Sequence, residues 1–312
     1  MIILNKSDGF LLMEFHYSPV IKTTFFFLLL NAYSITVIGN IVIISTNKQL
    51  HKPMYFFLIN LSCLDLLVTG AITPKFLSLL VNGSRIISYV GCMIQCYSFF
   101  FLGSTQILIL TVMSFDRYMA ICHPLRYTAV LSPTLCLFLA LGAWACAFLD
   151  TIAPTVLVVQ LTFCGLRIDH FFCDVEQLVE MACTDTKHIR VLNFMVSAVI
   201  VFGSLILIFA SYVNIIIAVL KIPSSGGRWK TFATCSSHLL IVFIHYIGTV
   251  FMSLRSIKNS SIDFDKLAII LHSVLTPLFN PFIYTLRNQE VKHAVKSFFK
   301  CGDKYIVKRP GK

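Results

Sequence analysis

VLNFMVSAVIVFGSLILIFASYVNIIIAVL, residues 191–220, runs for thirty positions without one Asp, Glu, Lys or Arg. A helix needs roughly 20 residues, at about 1.5 Å each, to cross about 30 Å of hydrocarbon, so this stretch spans a bilayer with length to spare. Barrel strands are short and alternate apolar with polar positions. Nearly every position here is apolar, so the segment reads as a membrane helix.

Six further apolar blocks surround it, at about 23–46, 54–80, 93–121, 134–161, 231–254 and 267–286. The whole chain is 57% hydrophobic and 12% charged, whereas soluble domains carry roughly 25% charged residues. No soluble domain fits between the blocks. The expected fold is an all-α, seven-transmembrane helix bundle over 23–286, with an N-terminal segment at 1–22 and a tail at 287–312. The first block follows a mostly polar start with no basic leader or cleavage site, so it is expected to be retained, without a soluble secreted form.

Basic residues in short connections favour the cytoplasmic side. With the N-terminus extracellular and the C-terminus cytoplasmic, the inner segments hold 15 of the 25 Lys and Arg, from Lys48 to Lys312, against Asp116, Glu290 and Asp303. The outer segments balance their ten cations with nine acids, among them Asp174, Glu176 and Asp185. The net charge of +11 therefore faces anionic lipid and a cytoplasmic partner, and no nucleic acid is needed to explain it. Three glycosylation sequons, at Asn5, Asn82 and Asn259, all fall on segments expected outside.

Disulfides persist on the oxidising side of a membrane. Cys92 begins the third helix on that side, and Cys164, Cys173 and Cys183 lie in the long loop between helices four and five. Four cysteines allow three pairings. The favoured one joins Cys92 to Cys173, tying the loop across the helix mouth, and Cys164 to Cys183. A metal site using these thiols with His170 is the competing reading, although the spacing lacks paired Cys-X-X-Cys ligands.

At the inner end of helix three stands Met113-Ser114-Phe115-Asp116-Arg117-Tyr118-Met119-Ala120-Ile121-Cys122-His123-Pro124. An adjacent acid and Arg at a membrane boundary pair in one state and release the Arg to a partner in another. Interface anchoring is the plainer alternative.

With this string, the chain resembles the rhodopsin-like receptors and, within them, the olfactory receptors. Gly39-Asn40, Pro53-Met54-Tyr55-Phe56-Phe57-Leu58 and Leu61-Ser62-Cys63-Leu64-Asp65 are similar to that family. So are His170-Phe171-Phe172-Cys173-Asp174, Ala182-Cys183-Thr184-Asp185-Thr186, Ser211-Tyr212, the run Lys230 to Leu239, and Pro277-Leu278-Phe279-Asn280-Pro281-Phe282-Ile283-Tyr284-Thr285-Leu286-Arg287-Asn288. The resemblance implies an odorant receptor in the plasma membrane that binds a small, mostly apolar molecule and activates a stimulatory heterotrimeric G protein to raise cyclic AMP. It implies no cofactor and no enzymatic activity. A rhodopsin-like receptor for an internal metabolite outside the nose is the nearest alternative.

The resemblance also assigns residues. Asp116, Arg117, Tyr118, Tyr212, Asn280, Pro281 and Tyr284 serve activation and G-protein coupling. Asn40 and Asp65, with Asn280, resemble the polar cluster that binds sodium or ordered water, with Gln106 where the family usually has glutamate. Losing that carboxylate lowers the affinity expected for sodium at Asp65. The pocket is expected among the outer halves of helices three, five, six and seven. Helical spacing then gives Phe99, Phe100, Gly103, Ser104 and Ile107, with Tyr246, Thr249, Val250 and Ser253, and Ser273. Amine receptors carry an aspartate where this chain has Phe99, which disfavours a cationic amine.

Independently of any family, Pro281 removes a backbone donor inside a membrane helix, and Asn280 is placed to satisfy freed groups nearby. Asp150, in helix four, is expected to contact ligand, pair with His245 or reach outward. After helix seven, Val291, Val295, Phe298 and Phe299 share a face flanked by lysines, which describes a short amphipathic eighth helix on the inner membrane surface. A transporter or channel would use Asp65 and Asp150 along a polar path, yet helices one and five carry no charge and no repeat halves appear. A membrane enzyme would use His238, His245 or His272, which lack metal-ligand spacing.

Overall fold

The computed structural model describes residues 9–13, 18–47, 52–82, 85–255, 266 and 269–287. Among the described residues the bundle is built of six long helices and a shorter seventh: α1 (Pro19–Asn47), α2 (Pro53–Asn82), α3 (Tyr89–Cys122), α4 (Pro133–Gln160), α5 (Lys187–Leu220), α6 (Ser225–Arg255) and α7 (Thr276–Arg287). The first six are long and apolar enough to cross a membrane.

Local chemistry sets where several of them begin. Proline opens α1, α2 and α4, where its missing N–H costs nothing because the first turn has no acceptor for it. The Ser132 hydroxyl accepts from the Leu135 N–H at 3.2 Å. At the start of α3, Ser88 accepts from the Gly91 N–H at 3.1 Å. These caps fill donors that a helix start leaves open.

The helices run past the apolar blocks. α5 starts at Lys187 rather than 191, and α6 at Ser225 rather than 231, taking in Arg228 and Lys230. Hydropathy marks only the part of a helix that meets hydrocarbon, while backbone hydrogen bonding continues into the polar layer.

In the bundle, α3 touches α2, α4, α5 and α6, while α7 packs against α1, α2 and α6. The outer surface is oily. Phe202, Leu207, Phe209 and Ile216 on α5 are each more than half exposed, a state that lipid tolerates and water would not.

An element that composition did not reveal caps one end. The strand β1 (Phe10–Leu12) pairs antiparallel with β2 (Ile86–Ile87) and parallel with β3 (Arg167–Ile168), so it is the middle strand. The polar start was expected only as a tail. Leu11 N–H donates to the Leu166 carbonyl at 2.7 Å, and Leu12 N–H to that of Arg85 at 2.8 Å. Gly9 enters the strand at φ 71°, and a Cβ there would lie 2.5 Å from the Ile87 oxygen, so the position requires glycine. Phe10 packs edge-on against Phe163 at 5.2 Å between ring centroids. The amphipathic helix expected around Val291–Phe299 lies outside the described residues, as do the side chain of Asn82 and all of Asn5 and Asn259.

Candidate functional site

The capped end also carries both disulfides, Cys92–Cys173 and Cys164–Cys183. All four thiols are thereby used, so the metal site with His170 has no thiolate left. Among the described residues no cluster of His, Cys, Asp and Glu is arranged to hold a metal ion. The first bridge draws the loop across the bundle. Phe172, next to it, meets Phe99 at 5.1 Å between ring centroids.

Beneath this lid lies a cavity among α3, α5 and α6. Phe99, Phe100, Gly103, Ser104 and Ile107 form its α3 wall, and Thr249 its α6 wall. The α5 wall holds Asn193, Ser197, Ile200 and Val201, and the lid adds Phe172, Asp174 and Glu176. The sequence pointed to helix five without its residues, because a run with so few polar positions barely marks which face turns inward. The spacing of Asn193, Ser197, Ile200 and Val201 along one helical face was the available signal. For Phe172 the signal was its place beside a bridging cysteine.

Three expected pocket residues sit elsewhere. Val250 is 41% exposed and faces away from the bundle, because the buried face of α6 runs through Ile241, Val242, His245 and Tyr246. Tyr246 donates its hydroxyl to Ser204 on α5 and ties two helices together. Ser273 is buried and donates to the Ile269 carbonyl at 2.7 Å, while its neighbour His272 faces the cavity. The reason is a π turn at Leu271–Leu275 just before α7. Pro277 offers no N–H to the preceding turn, and the wider turn shifts the helix face by about a residue. A Cβ at Gly248 would lie 2.5 Å from His272 Nδ1, so α6 and this turn are in direct contact. The side chain of Ser253 lies outside the described residues.

Asp150 does not pair with His245. It accepts from the Ser104 hydroxyl at 3.5 Å, while His245 Nδ1 lies 3.0 Å from the Ile241 carbonyl oxygen.

Midway along the bundle, Asp65 is fully buried. Gln106 donates to its Oδ1 at 2.9 Å and Asn280 to its Oδ2 at 2.8 Å. Both oxygens thus face amide donors, an arrangement that supports an anion, and Gln106 supplies no second negative charge. These residues do not fit a sodium ion. Asn40 stands apart from the carboxylate. Its amide donates to the Pro277 carbonyl at 3.3 Å, the group whose ordinary helical donor would be the N–H that Pro281 lacks. Asn40 on α1 therefore repairs the proline gap in α7, the task expected of Asn280. Gly39 makes the approach possible, since a Cβ there would lie 3.1 Å from Pro281 Cβ.

At the opposite end, Arg117 Nη2 lies 2.8 Å from Asp116 Oδ2. Tyr127, on the short helix Tyr127–Val130, donates to the other oxygen at 2.8 Å. Burial, then the nearby Asp116 charge, raises the Tyr127 phenol above its ordinary pKa, so it remains a donor at neutral pH. Tyr118 instead meets His123 Nε2 at 3.0 Å. Tyr212 on α5 donates to His238 Nδ1 at 2.7 Å, and His238 Nε2 donates to the Leu110 carbonyl at 3.2 Å. That chain joins α5, α6 and α3 near Arg117. The Tyr284 side chain lies outside the described residues.

A lidded cavity at one end and a tied acid–Arg pair at the other, joined by a bundle of apolar helices, define a seven-helix membrane receptor. The profile of the olfactory receptor family matches residues 29–301. The chain is 44% identical to human Olfactory receptor 6F1 over 292 residues, covering 92% of this chain and 95% of that one. Over 297 residues it is 42% identical to rat Olfactory receptor 287, covering 94% and 96%. The chain belongs to the olfactory receptor family, whose members are multi-pass membrane receptors that act through G proteins, and it is not an enzyme.

Proposed function

We propose that the receptor takes a small, mostly apolar odorant into the cavity beneath Phe172 and raises cyclic AMP through a stimulatory heterotrimeric G protein. The observation that carries this reading is the cavity itself, which sets aromatic and aliphatic walls against a few hydroxyls. Such a lining suits an apolar body fixed by one or two hydrogen bonds. The disulfide end faces the exterior, and the Arg117 end, with its basic loop, faces the cytosol and the G protein.

The Asp116–Arg117 pair corresponds to the resting arrangement. An odorant that binds the active arrangement better shifts the population toward it, parting the inner ends of α3, α5 and α6 and freeing Arg117. Tyr212 and His238, which link those helices, must rearrange for this to happen. The test is a cyclic-AMP reporter challenged with a chemically broad odorant panel, run on the native chain and on Arg117→Ala. The expected result is a response in the first and none in the second at equal surface expression. A full response from Arg117→Ala defeats the assigned role.

A further inference from the structure

On the flank of the bundle, apart from the lidded cavity, a groove of about 370 Å³ lies between α3, α4 and α5. Its walls run from Thr111 to Tyr118 on α3 and from Leu207 to Asn214 on α5, with Leu139 from α4. Each of the two long walls covers about 10 Å of helix at about 1.5 Å per residue. Small side chains at Ser114, Ala210 and Ser211 leave the hollow. Both helices are long and apolar enough to cross a membrane, and Leu207 at the groove is 59% exposed. The groove therefore opens on lipid.

Its lining is hydrocarbon in character. Ser114 and Ser211 turn their hydroxyls back to the carbonyls of Thr111 and Leu207, at 2.7 and 2.9 Å. Asn214 is the exception. One N–H of its amide donates to the Ala210 carbonyl at 2.8 Å, while the second N–H and Oδ1 have no partner among the described residues. The residue stands one and a half turns before Leu220, where α5 ends. Its backbone oxygen accepts from the Cys122 thiol, at the last residue of α3, at 3.6 Å. The bare amide thus marks the edge of the hydrocarbon at the Arg117 end, where an unmatched donor and acceptor favour a polar partner.

The chemistry of that partner is narrow. No Lys or Arg lines the groove, so a lipid phosphate would find no counter-charge there. A flexible acyl chain would give up rotational freedom on being held, whereas a fused-ring body is rigid beforehand. One hydroxyl matches the amide, because it donates to Oδ1 and accepts from the free N–H.

We propose that this groove holds a membrane sterol, its hydroxyl at Asn214 and its rings lying along α3 and α5 toward Leu207. An occupant touching both helices resists their separation. On the activation reading above, in which the inner ends of α3 and α5 part, the sterol holds the receptor at rest.

The test uses cells expressing the full chain, a photoreactive sterol and peptide mapping by mass spectrometry. Label is expected on residues 111–118 and 207–214 and is displaced by excess cholesterol. Cholesteryl methyl ether should compete about fivefold less well, the ratio that one neutral hydrogen bond supplies. Asn214→Leu should erase that difference. Ala210→Trp, which fills the groove from a lipid-facing position, should abolish the label at normal surface expression. Label absent from the two segments, or untouched by Ala210→Trp, overturns the proposal. So does stronger labelling of the groove by a photoreactive phospholipid, or a cross-link there between two copies of the chain. Withdrawing sterol with cyclodextrin is expected to raise the ligand-free cyclic-AMP signal severalfold in the native chain and to leave Ala210→Trp unmoved. An unchanged signal in the native chain overturns the resting role. Labelling requires neither odorant nor G protein, so a receptor silent to every odorant yet labelled in the groove defeats the odorant reading alone.

Discussion

Asp116 has two donors, Arg117 and Tyr127. Tyr127 holds the second oxygen from a separate helix at 2.8 Å, so it keeps the carboxylate oriented toward Arg117. Removing a hydrogen bond to a charged group costs about 1.5–3 kcal/mol. Tyr127→Phe is therefore expected to raise the ligand-free cyclic-AMP signal severalfold without lowering surface expression, and an unchanged basal signal would reject this role. Asp65 offers a second test at this scale. Replacing it with Ala strands the buried Gln106 and Asn280 amides, a loss of about 1–3 kcal/mol for each unsatisfied group. Much lower surface expression and a lower melting temperature in detergent are expected. The sequence identified these residues through the strings they sit in and through the rarity of charge in apolar runs. It grouped Asp116 with Arg117 and Asp65 with Gln106 and Asn280, which meet in the structure, and it missed Tyr127. Asn40 and Asn280 are equally polar on paper, and which one reaches the Pro277 carbonyl depends on where α1 lies against α7.

That contact is a property of two elements together. Gly39 and Asn40 form one device: the glycine lets the helices approach and the asparagine supplies the missing donor. Gly39→Val drives a branched side chain into Pro281, an overpacking that costs about 1–3 kcal/mol, and it separates Asn40 from its acceptor. Thermal stability in detergent should fall, and fall less for Gly39→Ala, whose single Cβ would lie 3.1 Å from the proline ring. Equal stability of the two variants would count against the device. The helices themselves were easy to read, because apolar runs of this length have one physical outcome in lipid. Their phase was harder. Stepping along α6 at ideal spacing placed Val250 in the pocket, although it faces away. Stepping into α7 reached Ser273 instead of His272, because the π turn at Leu271–Leu275 breaks the regular count and leaves no mark in composition.

For the whole molecule, the decisive quantity is the asymmetry of charge across the bundle. If basic edges set the orientation, an epitope before Gly9 is accessible on intact cells and one after Lys312 only after permeabilisation. Finding both tags on one side of the membrane would overturn the topology. The small sheet belongs to this scale as well, since it joins the start of the chain to the connection after α2 and the one after α4. No alternation in so short a stretch announced it, and its partners lie far away in sequence. Leu11→Pro removes the donor that reaches Leu166 and should lower delivery to the cell surface, whereas Leu11→Val, which keeps the donor, should not.

Because β1 is the central strand, order of synthesis and order of assembly are at odds. Its residues leave the ribosome before any helix, yet Arg167 follows only after four membrane crossings. β2 is made after two crossings, but the edge of β1 that meets β3 stays unpaired until the fourth is complete. A bulky fusion placed directly ahead of Gly9 thus interferes with biogenesis, slowing export of the newborn protein, while receptors that do mature sense odorants normally.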